Sequence, residues 1–154
     1  APGKYHTGID CWGPGYGSTY VQASTIGTVH SITINGQNDH GMGNCVILRH
    51  NVIVSSNGAT SPYYTLYAHL DGIVNGLKVG QAVKRLQIIG VMGSTGKGDR
   101  YYWGKTPHLH FEVKTGGVLH NPGGGGTYWA YTPKDATHYG HINPAVVLGN
   151  WSAK

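Results

Sequence analysis

Twenty-six of the 154 residues are glycine, and they are scattered among β-branched and aromatic residues rather than gathered into a linker. This distribution constrains the fold more than any other feature of the chain. Each glycine costs about 1 kcal/mol relative to alanine inside a helix, and the lack of a three-residue period excludes a collagen-like triple helix. The glycines divide the chain into short runs rich in Val, Ile, Thr and Tyr. The fold class predicted is all-β, built of antiparallel sheets with many turns.

A length of 154 residues predicts one domain, residues 1–154, large enough to bury one hydrophobic core. With 39% apolar and only 11% charged residues, the chain is not a disordered charged tail. It has no run of 18 apolar residues, so no membrane-spanning helix is expected. The net charge of +5 reflects six acids more than eleven bases. The bases are spread from Lys4 to Lys154 without a dense stripe, which argues against nucleic acid and suits a polyanionic surface such as a bacterial wall. The chain opens at Ala1-Pro2 without Met, compatible with a removed leader and with export. Cys11 and Cys45 permit one internal disulfide or two buried thiols, since spacing alone does not give their Cα separation.

Strands are predicted at Thr19–Ala23, Gly27–Ile34, Cys45–His50, Tyr63–His69, Gln87–Val91 and His108–Lys114. Turns are predicted at Gly36–Gly43, Ser55–Ser61, Asp71–Gly76 and Gly93–Lys105. The unbroken apolar run Val46-Ile47-Leu48 reads as a strand covered on both faces, hence a sheet with a second layer packed on it. Residues 116–140 read as a long surface excursion, and Pro144 as the first turn of a short terminal helix.

Three constellations can carry chemistry. In His108-Leu109-His110-Phe111-Glu112-Val113, strand alternation puts His108, His110 and Glu112 on one face and the apolar residues on the other. In His6-Thr7-Gly8-Ile9-Asp10, a straight strand would hold His6 and Asp10 about 13 Å apart. A bend at Gly8 can bring them to one ion, because Gly tolerates backbone angles that other residues avoid. A third ligand from His110 would leave one tetrahedral position open, the arrangement of a catalytic zinc. In Tyr67-Ala68-His69-Leu70, alternation puts Tyr67 and His69 on one face, with Tyr67 packed beneath the site.

Taken in order, these three motifs resemble the lysostaphin and LytM type of zinc metallopeptidase. Further pieces resemble the same family: Gly27-Thr28-Val29, Gly43 to His50, Gly80-Gln81-Ala82-Val83 and Ile88-Ile89-Gly90. The similarity covers residues 6–115 and returns at Asn143-Pro144 to Leu148. It implies an antiparallel β fold with the site in a groove walled by loops, and one catalytic Zn2+ held by His6, Asp10 and His110. His69 and His108 are implied as non-ligating catalytic histidines whose separate roles stay open.

The activity implied is a secreted endopeptidase that cuts peptide cross-links of peptidoglycan, glycine-containing bridges among them, as a monomer. The alternatives are a non-catalytic LytM-like wall-binding or regulatory domain and a carbohydrate-binding β-sandwich with a structural metal. Neither needs His69 together with His108. Two segments depart from the family pattern as loop insertions, 97–105 and 116–140, and both are expected beside the groove. Their aromatic stretches, Tyr101-Tyr102-Trp103 and Tyr128-Trp129-Ala130-Tyr131, read equally as groove wall or as turn packing. His30, His40, His50, His120, His138 and His141 read as structural or surface residues.

Overall fold

The fold is seen in a computed structural model that describes residues 4–53 and 60–145. Among the described residues the chain forms β1 (Tyr5–His6), β2 (Ile9–Trp12), β3 (Tyr20–Gln22), β4 (Gly27–Thr33), β5 (Asn44–Ile53) and β6 (Thr60–Leu70). It continues with β7 (Gly72–Ile73), β8 (Ala82–Val83), β9 (Ile88–Val91), β10 (His108–Lys114), β11 (Tyr131–Thr132) and β12 (His141–Ile142). A 3-10 turn at Ala136–Tyr139 precedes the last strand. All pairings are antiparallel, as the composition predicts.

The main sheet runs β12-β10-β6-β5-β4-β8, and β2 pairs with β10 beside β12. A second sheet, β3-β9-β7, and a two-stranded ribbon, β1-β11, complete the framework. All six predicted runs form strands. The turn expected at Asp71–Gly76 contains the short strand β7, which pairs with β9. Of the turn expected at Ser55–Ser61, Thr60 and Ser61 belong to β6 and the rest lies outside the described residues. Pro144 and Ala145 are helical, and the remainder of the predicted terminal helix lies outside the described residues.

The continuous apolar run in β5 has the physical cause inferred for it. Val46 and Leu48 face a core shared with Val21 and Ile89 of the second sheet and with Tyr67, Phe111 and Val113. Ile47 faces the other way, with Met42, Cys45, Leu66 and Ala68. That second cluster is covered by Leu119, Trp129 and Ala130. Residues 116–140 are therefore more than a surface excursion: they roof one face of the main sheet and supply β11. Cys45 is buried and Cys11 half-buried, and both are free thiols, which resolves the alternatives in favour of no disulfide.

Candidate metal centre

Strand pairing assembles the site. Asp10 stands opposite His110 in the β2–β10 register, and Trp12 opposite His108. Side chains so paired share one face of the sheet, so β2 delivers a carboxylate directly to the imidazole of β10. Asp10 Oδ1 lies 3.1 Å from His110 Nδ1. The expected bend at Thr7–Gly8 interrupts the strand between β1 and β2 and brings His6 Nε2 to 3.5 Å from Asp10 Oδ1.

Gly8 is needed for a reason other than the one expected. Its φ is not in the left-handed region, but a Cβ there would stand 2.1 Å from the Phe111 carbonyl oxygen. Close approach of the bend to β10 requires glycine. On the far side, His6 pairs with Tyr131 of β11, and Thr7 N–H donates to the Ala130 carbonyl at 2.9 Å.

His69 reaches the site by breaking alternation. Leu66 and Ala68 face the second cluster and Tyr67 the first, so regular continuation would send His69 to the Tyr67 face, away from the metal centre. Instead His69 adopts φ 62°, in the left-handed region, and Leu70 takes the place beside Tyr67 in the first core. The expectation that Tyr67 and His69 share a face is thus overturned by one strained residue, at a cost of about 1 kcal/mol or more. The His69 ring centroid lies 4.9 Å from that of His108 and 5.7 Å from that of His110. Tyr67 is buried on the opposite face, its hydroxyl 3.0 Å from those of Ser24 and Thr65.

The five predicted residues, His6, Asp10, His69, His108 and His110, line one cleft of about 40 Å³ together with Trp103, Ala130 and Tyr131. Larger hollows of about 300 and 520 Å³ lie elsewhere and contain at most one of the five. Chemistry identifies the site better than volume does. One donor atom each from His6, Asp10 and His110 lie within 4.8 Å of one another. Donors about 2.1 Å from a common ion at tetrahedral angles stand roughly 3.4 Å apart, close to the 3.5 and 3.1 Å separations about Asp10. Two imidazoles and one carboxylate, open on the solvent side, fit a zinc ion.

Burial by itself would depress His110, but its hydrogen bonds to Asp10 and Glu112 outweigh that and lift it to about 9. Burial is the largest single influence on Asp10 and raises it, but the hydrogen bond to His110 and the charges of His110, His6 and His108 together outweigh it and hold Asp10 low. Burial and the neighbouring His110 and His108 push His69 down to about 3, so it is neutral at neutral pH. Its Nδ1 lies 3.1 Å from the Thr95 carbonyl, which can only accept, so Nδ1 carries the proton and Nε2 the lone pair. His108 is likewise depressed, chiefly by burial.

Each predicted aromatic stretch divides between wall and packing. Trp103 lies 5.4 Å from His69 with Nε1–H donating to the Gly41 carbonyl, and Tyr131 lies 5.2 Å from His6. Tyr102 packs edge-on against Trp103, and Trp129 stacks on His40. Trp12, largely exposed and 5.0 Å from His108, stands beside the cleft and escaped the sequence reading, although the β2–β10 pairing would have placed it. His50 is structural, Nδ1–H donating to the Ile26 carbonyl. His138 is exposed on the 3-10 turn and His141 buried on β12, with Gly140 at φ 86° between them, and neither belongs to the donor group found among the described residues.

Beneath the donors lie residues to which the sequence reading assigned no role. Glu112 Oε1 accepts from His110 Nε2–H at 2.8 Å and from the Thr7 hydroxyl. A carboxylate two residues from a histidine on one strand face is the signal that could have marked it.

The chain is similar to known proteins in sequence and in fold. The family model for peptidase family M23 matches residues 4–122. Over 119 residues the chain is 36% identical to the DD-carboxypeptidase/endopeptidase Mpg of Neisseria meningitidis, covering 77% of this chain but only 22% of that relative. A zinc-containing peptidase from Vibrio cholerae superposes with TM-score 0.51 at 33% identity, over 70% of this chain and 26% of that one. The catalytic domain of lysostaphin from Staphylococcus simulans shares the fold, with TM-score 0.57 at 24% identity, over 93% and 78% of the two chains. With the match extending over residues 4–122, from β1 past the histidines of β10, the chain belongs to peptidase family M23.

Proposed function

We propose that this chain is the catalytic domain of a secreted zinc-dependent endopeptidase that hydrolyses peptide cross-links of bacterial peptidoglycan. The observation that carries the reading is the convergence of His6, Asp10 and His110 on one point, beside two further histidines with no part in that donor set. It is supported by the names of relatives such as Mpg, and the mild positive charge suits an anionic wall.

His6, Asp10 and His110 are proposed to hold the zinc, which when bound supplies a Lewis acid and makes water available as a nucleophile near neutral pH. The protein's own residues do the rest. His69, neutral and with Nε2 unprotonated, can take a proton from the attacking water or, once charged, return one to the leaving amine. His108 stands beside it to share proton transfer or to donate a hydrogen bond to the developing oxyanion. Trp103, Tyr131 and Trp12 flank the cleft and present apolar faces to an extended peptide. Glycine-containing bridges are proposed among the cross-links this chain cuts.

The test is to incubate the purified chain and zinc with isolated bacterial walls of several cross-link types and to count new amino termini, with and without a chelator. New termini that disappear with the chelator are expected. Their absence on every wall type ends the peptidase reading and leaves a wall-binding domain.

A further inference from the structure

The face of β10 that carries His110 also carries Glu112 and Lys114, and all three side chains are at most 1% exposed. Burying a carboxylate and an ammonium costs several kcal/mol each, and apolar residues of like volume commonly do as well for stability. Their contacts run as a chain toward the donor set. Lys114 Nζ donates to the carbonyls of Val118 and Leu119, at 2.5 and 3.1 Å, and meets Glu112 Oε2 at 3.0 Å. Glu112 Oε1 accepts hydrogen bonds from His110 Nε2–H and from the hydroxyl of Thr7, which lies between His6 and Asp10. His141 Nδ1, 3.7 Å from Oε2, is outside hydrogen-bond reach.

Resting on the zinc reading above, we infer that Glu112, clamped by Lys114, is a positioning residue that sets the ring orientation and tautomer of His110 and ties the Thr7 bend to it. A carboxylate accepts only, so Glu112 keeps a proton on the Nε2 that faces it and leaves Nδ1, the atom 3.1 Å from Asp10, as the nitrogen that would give up its proton to bind a metal. One carboxylate thereby connects the strand of His110 to the segment bearing the other two donors. The clamp is anchored in residues 116–140, the segment that also pairs with His6 through Tyr131.

The test compares Glu112→Gln with the double variant Glu112→Gln/Lys114→Met, in which the buried ammonium goes along with the charge it compensates. The readouts are the zinc dissociation constant by chelator competition, the visible spectrum of the cobalt-substituted chain and the melting temperature of the metal-free chain. Glu112→Gln is expected to weaken zinc binding about 10- to 100-fold and to alter the cobalt bands. The double variant should recover melting temperature but not zinc affinity. It also stands in if the single variant fails to fold. Parent-like affinity and spectrum in the folded double variant overturn the inference. His110→Ala, measured alongside, separates the two levels: zinc retained there overturns the ligand reading and this inference with it. Zinc lost there but held normally by the double variant overturns this inference alone.

Discussion

Asp10 and His110 are a cross-strand pair: they face each other in the β2–β10 register, and Oδ1 lies 3.1 Å from Nδ1. The separation of 100 residues in sequence is closed by backbone hydrogen bonds, so the pair is as rigid as the sheet. Removing either member should release the metal without unfolding the chain. Asp10→Ala and His110→Ala are expected to retain little zinc after dialysis, read by elemental analysis. Full occupancy in either would remove that residue from the donor set.

His69 and His108 should behave differently, since neither belongs to the trio of donors. Their alanine variants are expected to keep zinc while wall-peptide turnover falls about 100-fold or more. Unchanged turnover in one of them would assign the proton transfers to the other alone.

Gly8→Ala forces a methyl group to within 2.1 Å of the Phe111 carbonyl oxygen. The bend must retreat from β10 and draw Asp10 away from His110. A loss of about 1–3 kcal/mol with weakened zinc binding is expected from thermal melts and chelator competition. Gly72→Ala is the control, with nothing within 4 Å of the added Cβ, and should stay within about 0.5 kcal/mol. Equal stability of the two variants would refute the steric account.

Stability should fall on mild acidification. Burial holds His50 below its ordinary 6.5 and depresses His141 to about 4. Above pH 6.5 folded and unfolded chains both carry these imidazoles neutral, and their contribution is complete. Below it the unfolded chain binds protons that the folded chain refuses, so stability is lost as pH falls from 6.5 through about 4. Each such group adds a slope of up to about 1.4 kcal/mol per pH unit. Urea midpoints at pH 6.0 and 4.5 measure it, below the window from about 9 to 6.5 in which the raised His110 adds a slope of opposite sign, and His50→Gln should flatten the slope. Equal midpoints at both pH values would contradict neutral burial.

Trp103→Ala removes an aromatic wall from beside His69. Zinc content should be unchanged and wall cleavage lowered about tenfold, the worth of one lost aromatic contact. Undiminished cleavage would assign Trp103 to loop packing alone.

Much of the fold was legible in the chain, because strand signals are local. Glycine punctuation marked β3, β4, β5, β6, β9 and β10, and the run at Val46–Leu48 announced a sheet packed on both faces. The motif His108-x-His110-x-Glu112 declared its shared face through the two-residue period alone. Glu112 lay in plain view on that face, but a carboxylate becomes a positioning group only when burial removes water as its partner.

By itself the sequence determined the antiparallel β architecture, the identity of the His and Asp residues that line the cleft and the family to which they point. The tertiary structure decided how they meet. Alternation assigned His69 to the wrong face, because a single left-handed residue reverses the period and no local signal in Tyr-Ala-His-Leu marks it. The role of Gly8 was set by a strand a hundred residues away, and that of residues 116–140 by the sheet face they cover. Close approach, burial and pairing register all depend on partners distant in sequence, and they come into being only when the chain closes on itself.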